Sequence, residues 1–276
     1  MIKVDLHTHS KASDGRLSPR DLVKRAKEKG SRIMALTDHD TTEGLEEALE
    51  ASKELSIDFI PGIELSTIHN KESIHILGFF KDDSYKAKEL QDFLFSLKEH
   101  RRTRGEKIVN NLKTYFNIEI SYEDVLKRGK GVIARPHIAE AIIDNGYPYT
   151  KAEIFDKFIS KDSPAYVENK EVSVQEGIDL LKSYNALVFL AHPILIRKTP
   201  IKDFLNFNFD GWEAIYFQNK KNDTKKLLKI CTERHLLISA GGDFHGDLKG
   251  DDRHGDLGLT EIPEDLLTRF LEAYNS

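Results

Sequence analysis

Ile2-Lys3-Val4-Asp5-Leu6-His7-Thr8-His9 is a short β-branched and apolar run that ends in two histidines one residue apart. Side chains alternate along a strand with a period of two, so His7 and His9 share one face and reach one ion. Downstream, Ser18-Pro19-Arg20-Asp21 supplies an N-cap, a proline at the first helical position and an acidic first turn, and Gly30 stops the helix. A second apolar run, Arg32 to Leu36, follows at once and completes a βαβ start. Further strands are expected at Asp58 to Pro61, Ser73 to Phe80, Ala186 to Leu190, Gly211 to Tyr216 and Leu236 to Ala240, alternating with amphipathic helices. That alternation is the pattern of a parallel α/β sheet or barrel.

The alternation lapses between Asp92 and Val172, where helical periodicity dominates. This predicts a barrel in two parts, residues 1–98 and 172–276, interrupted by a helical insertion subdomain over 99–171. The insertion carries Arg101, Arg102 and Arg104 on its first helix, a Gly129-Lys130-Gly131 turn, and Arg135-Pro136-His137, where Pro136 opens another helix. Arg101 and Arg104 fall close together on a helix, although a run of charge is more often a solvated face.

Composition narrows the function classes. A chain of 276 residues can bury a full core. A formal charge of -5 argues against stable binding to duplex nucleic acid, because there is no general basic face to neutralise phosphates. The single cysteine, Cys231, excludes an intramolecular disulfide and a Cys-based zinc site, and fits a reducing cytoplasm. No signal peptide precedes Val4 and no apolar run reaches membrane-spanning length, so a cytoplasmic protein without membrane contact is expected.

The chemistry gathers around the strands. Thr37-Asp38-His39-Asp40 closes the second run, Glu64 follows Pro61-Gly62, His75 interrupts an apolar strand, Leu187 to Ala191 ends in His192-Pro193, and Leu236 to Ala240 leads into Gly241-Gly242-Asp243-Phe244-His245. Taken singly, each has a plain explanation: a core histidine bonded to a carbonyl, a capping carboxylate, a pair of solvated edge histidines. Chance accounts for one such placement but not for six of the eleven histidines together with three carboxylates. In α/β barrels, strand-end side chains converge on the active site, so the set reads as a multinuclear metal site. Asp5 and Asp38 are read as groups that orient a ligating histidine or water, and Glu213 as a structural hydrogen-bond partner.

Asp5-Leu6-His7-Thr8-His9-Ser10, Ser13-Asp14-Gly15, Thr37-Asp38-His39-Asp40, Gly62-Ile63-Glu64, His75, Ala191-His192-Pro193 and Gly242-Asp243-Phe244-His245 together resemble the PHP (polymerase and histidinol phosphatase) superfamily. The resemblance implies a distorted seven-stranded (β/α) barrel with a trinuclear site. By motif, His7, His9, Glu64 and Asp243 hold the first metal, Glu64 bridges to a second held by His75 and His192, and Asp14, His39 and His245 hold the third. Arg135-Pro136-His137-Ile138-Ala139 is similar to the subgroup containing nucleoside 3',5'-bisphosphate phosphatases and 5'-3' exoribonucleases. There Arg135 and His137 become candidates for substrate phosphate, since guanidinium, imidazole and helix N-terminus can face one anion.

Three divalent ions held by three carboxylates and six neutral imidazoles leave roughly three positive charges uncompensated. An anionic phosphomonoester is the expected substrate, hydrolysed by metal-activated water without a covalent intermediate. The donor set suits Mn2+, Fe2+ or Zn2+. Asp38 and His137 are the candidate catalytic groups, His137 either binding phosphate or protonating the leaving oxygen. The expected activity is removal of a terminal phosphate from a nucleotide, a 3',5'-bisphosphate among them, or attack on short RNA from its 5' end. The alternatives are histidinol-phosphate hydrolysis and a metal-stabilised interaction module without catalysis. Oligomeric state is not legible in the sequence.

Overall fold

The computed structural model describes residues 1–129, 133, 135–168, 170–246 and 254–276; residues 130–131 of the glycine-lysine-glycine turn and 251–253 beside His254 lie outside them. In chain order the elements are β1 (Ile2–Asp5), α1 (Pro19–Lys29), β2 (Ile33–Leu36), α2 (Leu45–Leu55), β3 (Asp58–His69), β4 (Glu72–Phe80), α3 (Lys88–Phe116), α4 (Tyr122–Gly129), α5 (Arg135–Asp144), α6 (Lys151–Lys157), α7 (Val174–Ser183), β5 (Ala186–Leu190), β6 (Gly211–Tyr216), α8 (Lys221–Glu233), β7 (Leu237–Gly241), β8 (Glu261–Ile262) and α9 (Glu264–Tyr274). The chain divides into two compact units, one of residues 1–91 and 171–276 and the other of residues 92–170. Among the described residues, no helix is long and apolar enough to cross a membrane.

The first unit is a nearly closed α/β barrel. Its sheet runs in the order β7-β6-β5-β4-β3-β2-β1-β8. Parallel pairing joins β1 to β2 and β2 to β3, and again β5 to β6 and β6 to β7. Just past the end of β1 the chain meets β7 and its extension, with Leu6 N donating to Ala240 O at 3.0 Å and His9 N to Phe244 O at 2.8 Å, which closes the barrel over seven strands. The two-residue β8 is an antiparallel addition at the start of β1.

Two features depart from the simple alternation. β3 runs on past Pro61-Gly62 to His69, because Pro61 marks a change of partner: up to Leu36↔Pro61 the strand pairs with β2, and from Gly62↔Phe79 it pairs with β4. β4 is antiparallel to both neighbours. Its reversal comes from a two-residue turn at Asn70 and Lys71, with φ of 49° and 60°, the left-handed pair that suits a tight hairpin. No crossover helix separates β3 from β4, so a residue near the start of β4 lies at the same barrel end as the last residues of β3.

Local chemistry fixes the helices as the sequence suggests. Ser18 Oγ accepts from Asp21 N at the start of α1, Pro19 is its first residue, and Gly30 ends it at φ 83°. Packing does the rest: Phe79, Phe189 and Phe270 meet with ring centroids 5.3 to 5.5 Å apart, binding β4, β5 and α9 together. Each fully buried aromatic of this kind contributes about 1.5–3 kcal/mol relative to exposure. The second unit has its own core of Ile108, Leu112, Val125, Ile138, Ile142, Ile154 and Ile159. There Thr150 and Glu153 form a capping box on α6, and Pro136 occupies the first turn of α5.

Candidate metal centre

Six strands deliver their side chains to one place in the first unit. His7 and His9 follow β1, His39 follows β2, His192 follows β5, and Asp243 and His245 follow β7. Glu64 comes from inside β3, and His75 from the early part of the reversed β4, where it stands opposite Ser66. Glu64 is the hub. Its Oε2 lies 3.2 Å from His7 Nε2, 3.2 Å from His9 Nε2 and 3.1 Å from His39 Nδ1, while its Oε1 lies 2.8 Å from His75 Nδ1 and 3.0 Å from His192 Nε2.

Asp243 Oδ1 is 3.4 Å from His7 Nε2 and 3.1 Å from His9 Nε2, which makes a fully buried group of His7, His9, Glu64 and Asp243. A second group gathers on Asp14, whose carboxylate lies 3.2 Å from His245, 3.7 Å from His9 and 3.8 Å from His39. His39 also joins Glu64 and His75 in a third group, which shows it at the junction of two sets. The structure thus brings all nine candidate side chains into one array. His254 stands at its edge, with Nε2 4.0 Å from Asp243 Oδ2 and its ring 4.3 Å from that of His245.

Part of the array lacks the hydrogen bonds that buried polar groups require. Among the described residues, His7 Nε2, both ring nitrogens of His9, His39 Nδ1, Glu64 Oε2 and Asp243 Oδ1 are buried with no hydrogen-bond partner. Each such atom costs on the order of 1–3 kcal/mol, and a divalent ion held among them would supply the partners they lack. Burial opposes ionisation of Glu64, yet the histidines around it, His39 and His7 foremost, hold its carboxyl well below the usual range. Burial likewise lowers His39 to about 4, leaving the imidazole neutral, the form that ligates a metal. The donors present, imidazole and carboxylate without thiolate, fit divalent Mn2+, Fe2+ or Zn2+.

Surrounding groups hold the array in shape. Glu213, fully buried on β6, lies 3.0 Å from His7 Nδ1 through Oε1 and accepts from His192 N through Oε2 at 2.7 Å, so one carboxyl orients two of the imidazole-bearing residues. The register of β6 against β7 shifts between Glu213 and Ile215, the irregularity of a bulge. Asp38 accepts from Ser10 N at 2.7 Å, Ser10 Oγ at 2.6 Å and Ser13 Oγ at 2.5 Å, fixing the loop that carries Asp14. Tyr216 was not singled out in the sequence; its hydroxyl donates to Asp243 Oδ2 at 3.3 Å. Asp5, expected to orient a histidine or water, instead receives Ser31 Oγ and Gly258 N.

Backbone strain is also concentrated here. His192 has φ 26° and Asp243 φ 54°, left-handed conformations that cost a non-glycine residue about 1–3 kcal/mol and persist only when surroundings hold them. Gly241 shows how closely β7 approaches β1: a β-carbon there would stand 2.4 Å from His7 Cβ and 2.6 Å from Glu213 Oε1. Gly241→Ala is therefore expected to lose about 2 kcal/mol of stability. It should also weaken metal retention, because the added methyl pushes on the His7–Glu213 contact. Calorimetry with metal analysis checks this, and unaltered values for both would show that the approach is slack.

In the second unit, Arg135 and His137 lie in the first turn of α5. Arg135 Nη1 donates to Ile159 O at 3.1 Å, and its guanidinium lies over Phe155 and Tyr166 at 5.7 and 6.0 Å. Arg104, nine-tenths buried, donates to Val167 O and lies over the same Tyr166 at 5.6 Å. Among the described residues neither guanidinium is paired with a carboxylate.

With this geometry in hand, known proteins supply the class. Residues 5–249 match the model of the PHP domain, and the chain belongs to that family. It is 32% identical over 250 residues to the 5'-3' exoribonuclease Rnm of Salmonella typhimurium, a match covering 87% of this chain and 84% of that protein. It is 29% identical over 270 residues to the 3',5'-nucleoside bisphosphate phosphatase of Chromobacterium violaceum, covering 95% and 92%. Among solved structures it resembles a Bifidobacterium adolescentis protein assigned as a metal-dependent phosphoesterase, at 29% identity and TM-score 0.79, over 99% of this chain and 96% of that one. A Chromobacterium violaceum amidohydrolase with bound sulfate and no metal gives 28% identity and TM-score 0.80 with the same coverage. Within the family, the chain is a metal-dependent phosphoesterase.

Proposed function

We propose that the protein removes a terminal phosphate from a nucleotide, a 3',5'-bisphosphate in the first instance, or releases mononucleotides from the 5' end of short RNA. The observation that carries this is the Glu64 hub, where among the described residues six buried donor and acceptor atoms of His7, His9, His39, Glu64 and Asp243 have no hydrogen-bond partner, an arrangement suited to several cations and so to a compact, highly charged anion. Relatives acting on nucleotides and RNA support the substrate class.

His7, His9, Glu64 and Asp243 would hold one ion, Glu64, His75 and His192 a second, and Asp14, His39 and His245 a third. When bound, such ions supply Lewis acidity to phosphoryl oxygens and lower the pKa of water toward neutrality. The chain's own groups orient and balance them. Glu213 fixes the ring of His7, Asp38 holds the loop bearing Asp14 through Ser10 and Ser13, and Tyr216 steadies Asp243. Direct attack by water is consistent with the state of Cys231, which is fully buried with its thiol pushed up to about 12.

Arg135 and His137 are assigned to the substrate's phosphate, with His137 also available to protonate the leaving oxygen. The buried Arg104 and the half-buried Arg135, both over Tyr166 with no carboxylate between them among the described residues, support an anion site in the second unit. Arg135→Ala is expected to raise KM about tenfold or more by losing a charge-assisted hydrogen bond, with metal content unchanged. Arg135→Lys should recover part of that loss, and unaltered kinetics in Arg135→Ala would remove Arg135 from the anion site.

Phosphate-release assays on the Mn2+-loaded protein test the substrate class. Adenosine 3',5'-bisphosphate and short 5'-phosphorylated RNA should be turned over with higher kcat/KM than histidinol phosphate. Preference for histidinol phosphate would favour the other phosphatase. Metal-dependent stability without turnover of any phosphoester would favour an interaction module.

A further inference from the structure

Phe217 follows the last residue of β6 and is 41% exposed, while its neighbour Tyr216 is 3% exposed and bonded to Asp243. The ring is backed by the main chain of Gly255, where a β-carbon would stand 2.8 Å from Phe217 Cγ and Cδ2. Gly255 N donates to Gly242 O at 2.7 Å, which ties that backing to the residue before Asp243. Next to Gly255, the ring of His254 packs on that of His245 at 4.3 Å. A continuous wall therefore leads from Asp243 and His245, through His254 and Gly255, to a phenyl ring that keeps two-fifths of its surface in water. Leaving so much aromatic surface exposed forgoes burial energy, and beside a phosphate-handling site a peptide-backed ring has the form of a stacking platform.

We infer that Phe217 is the surface on which the base of a nucleotide substrate stacks while its phosphate occupies the Glu64 array. The inference rests on the nucleotide reading above and adds to it the group that recognises the base. A phenyl ring offers a flat apolar face and no hydrogen-bonding group, so it separates substrates with a base from those without one and is tolerant of base identity. For short RNA it seats the terminal nucleotide whatever its sequence.

The test compares wild type, Phe217→Ala and Phe217→Trp on adenosine 3',5'-bisphosphate and on the same sugar bisphosphate lacking the base. Stacking on an aromatic ring predicts a loss of about 5- to 150-fold in kcat/KM for Phe217→Ala on the nucleotide, carried by KM. The base-free compound should be unaffected, and Phe217→Trp should match or exceed wild type. Equal losses on both compounds, or none on either, would overturn the assignment. Binding gives a second readout that needs no turnover: emission of the Trp introduced by F217W, relative to the buried Trp212 of wild type, should be quenched by adenosine monophosphate and not by ribose 5-phosphate. If wild type releases phosphate from no nucleotide, the substrate reading fails, and the quenching measurement still decides the platform: quenching by the nucleotide alone supports it, and no difference between the two ligands overturns it.

Discussion

Glu64→Gln is expected to lower phosphate release about a thousandfold or more, with a parallel fall in bound metal. The scale follows from removing a preorganised charged group around which the reacting anion is held, which typically costs two to three orders of magnitude. Glu64 exceeds a single such group in consequence, because five imidazoles lie within 3.2 Å of its two oxygens and the residue has no exposed surface. Glutamine keeps the volume and removes the charge, so packing is preserved while the two ion sites proposed on Glu64 would lose their shared carboxylate. Turnover and metal content measured on the same preparation check this; a variant with wild-type values for both would show that Glu64 is not a shared ligand.

Stripping the metal with a chelator is expected to abolish turnover and lower Tm by about 10 °C. Ions that bind the folded chain and not the unfolded one stabilise it by mass action, about 4 kcal/mol at a thousandfold excess over Kd, and for a domain of this size each kcal/mol is worth a few degrees. Chelation leaves the buried atoms of His7, His9, His39, Glu64 and Asp243 to face one another without hydrogen bonds. The transition should recover when Mn2+ is returned. Calorimetry before and after dialysis checks it, and a stripped protein with undiminished Tm and activity would contradict metal dependence.

Much of the barrel is legible in the sequence because its strands are short apolar runs and its first helix is capped at both ends by residues with local reasons to be there. The strand-end histidines stand out for the same reason: they break an apolar pattern. What the pattern hides is pairing. Nothing in the period of two tells that β3 changes partners at Pro61, or that β4 runs backward. The one local sign, Asn70 in a two-residue turn, is weaker than the apolar run around it. That reversal is why His75, inside a strand, reaches the same place as residues at strand ends.

Glu213 and Tyr216 were harder still, since their roles depend on contacts with His7 and Asp243, which are distant in sequence. The available signal was a carboxylate within the otherwise apolar Gly211–Tyr216 run, an expensive placement unless the group has a buried partner. Asp5 carries a similar signal and leads elsewhere, because its carboxylate is taken by Ser31 and Gly258. An acidic residue in a strand thus announces a partner without saying which one.

The most direct measurement is a titration of stripped protein with Mn2+, following ions bound per chain by elemental analysis and phosphate released from adenosine 3',5'-bisphosphate in the same samples. Nine side chains acting together predict that activity climbs with occupancy and is complete near about three ions per chain. Full activity in stripped protein, or saturation at a single ion, would contradict a shared multinuclear centre.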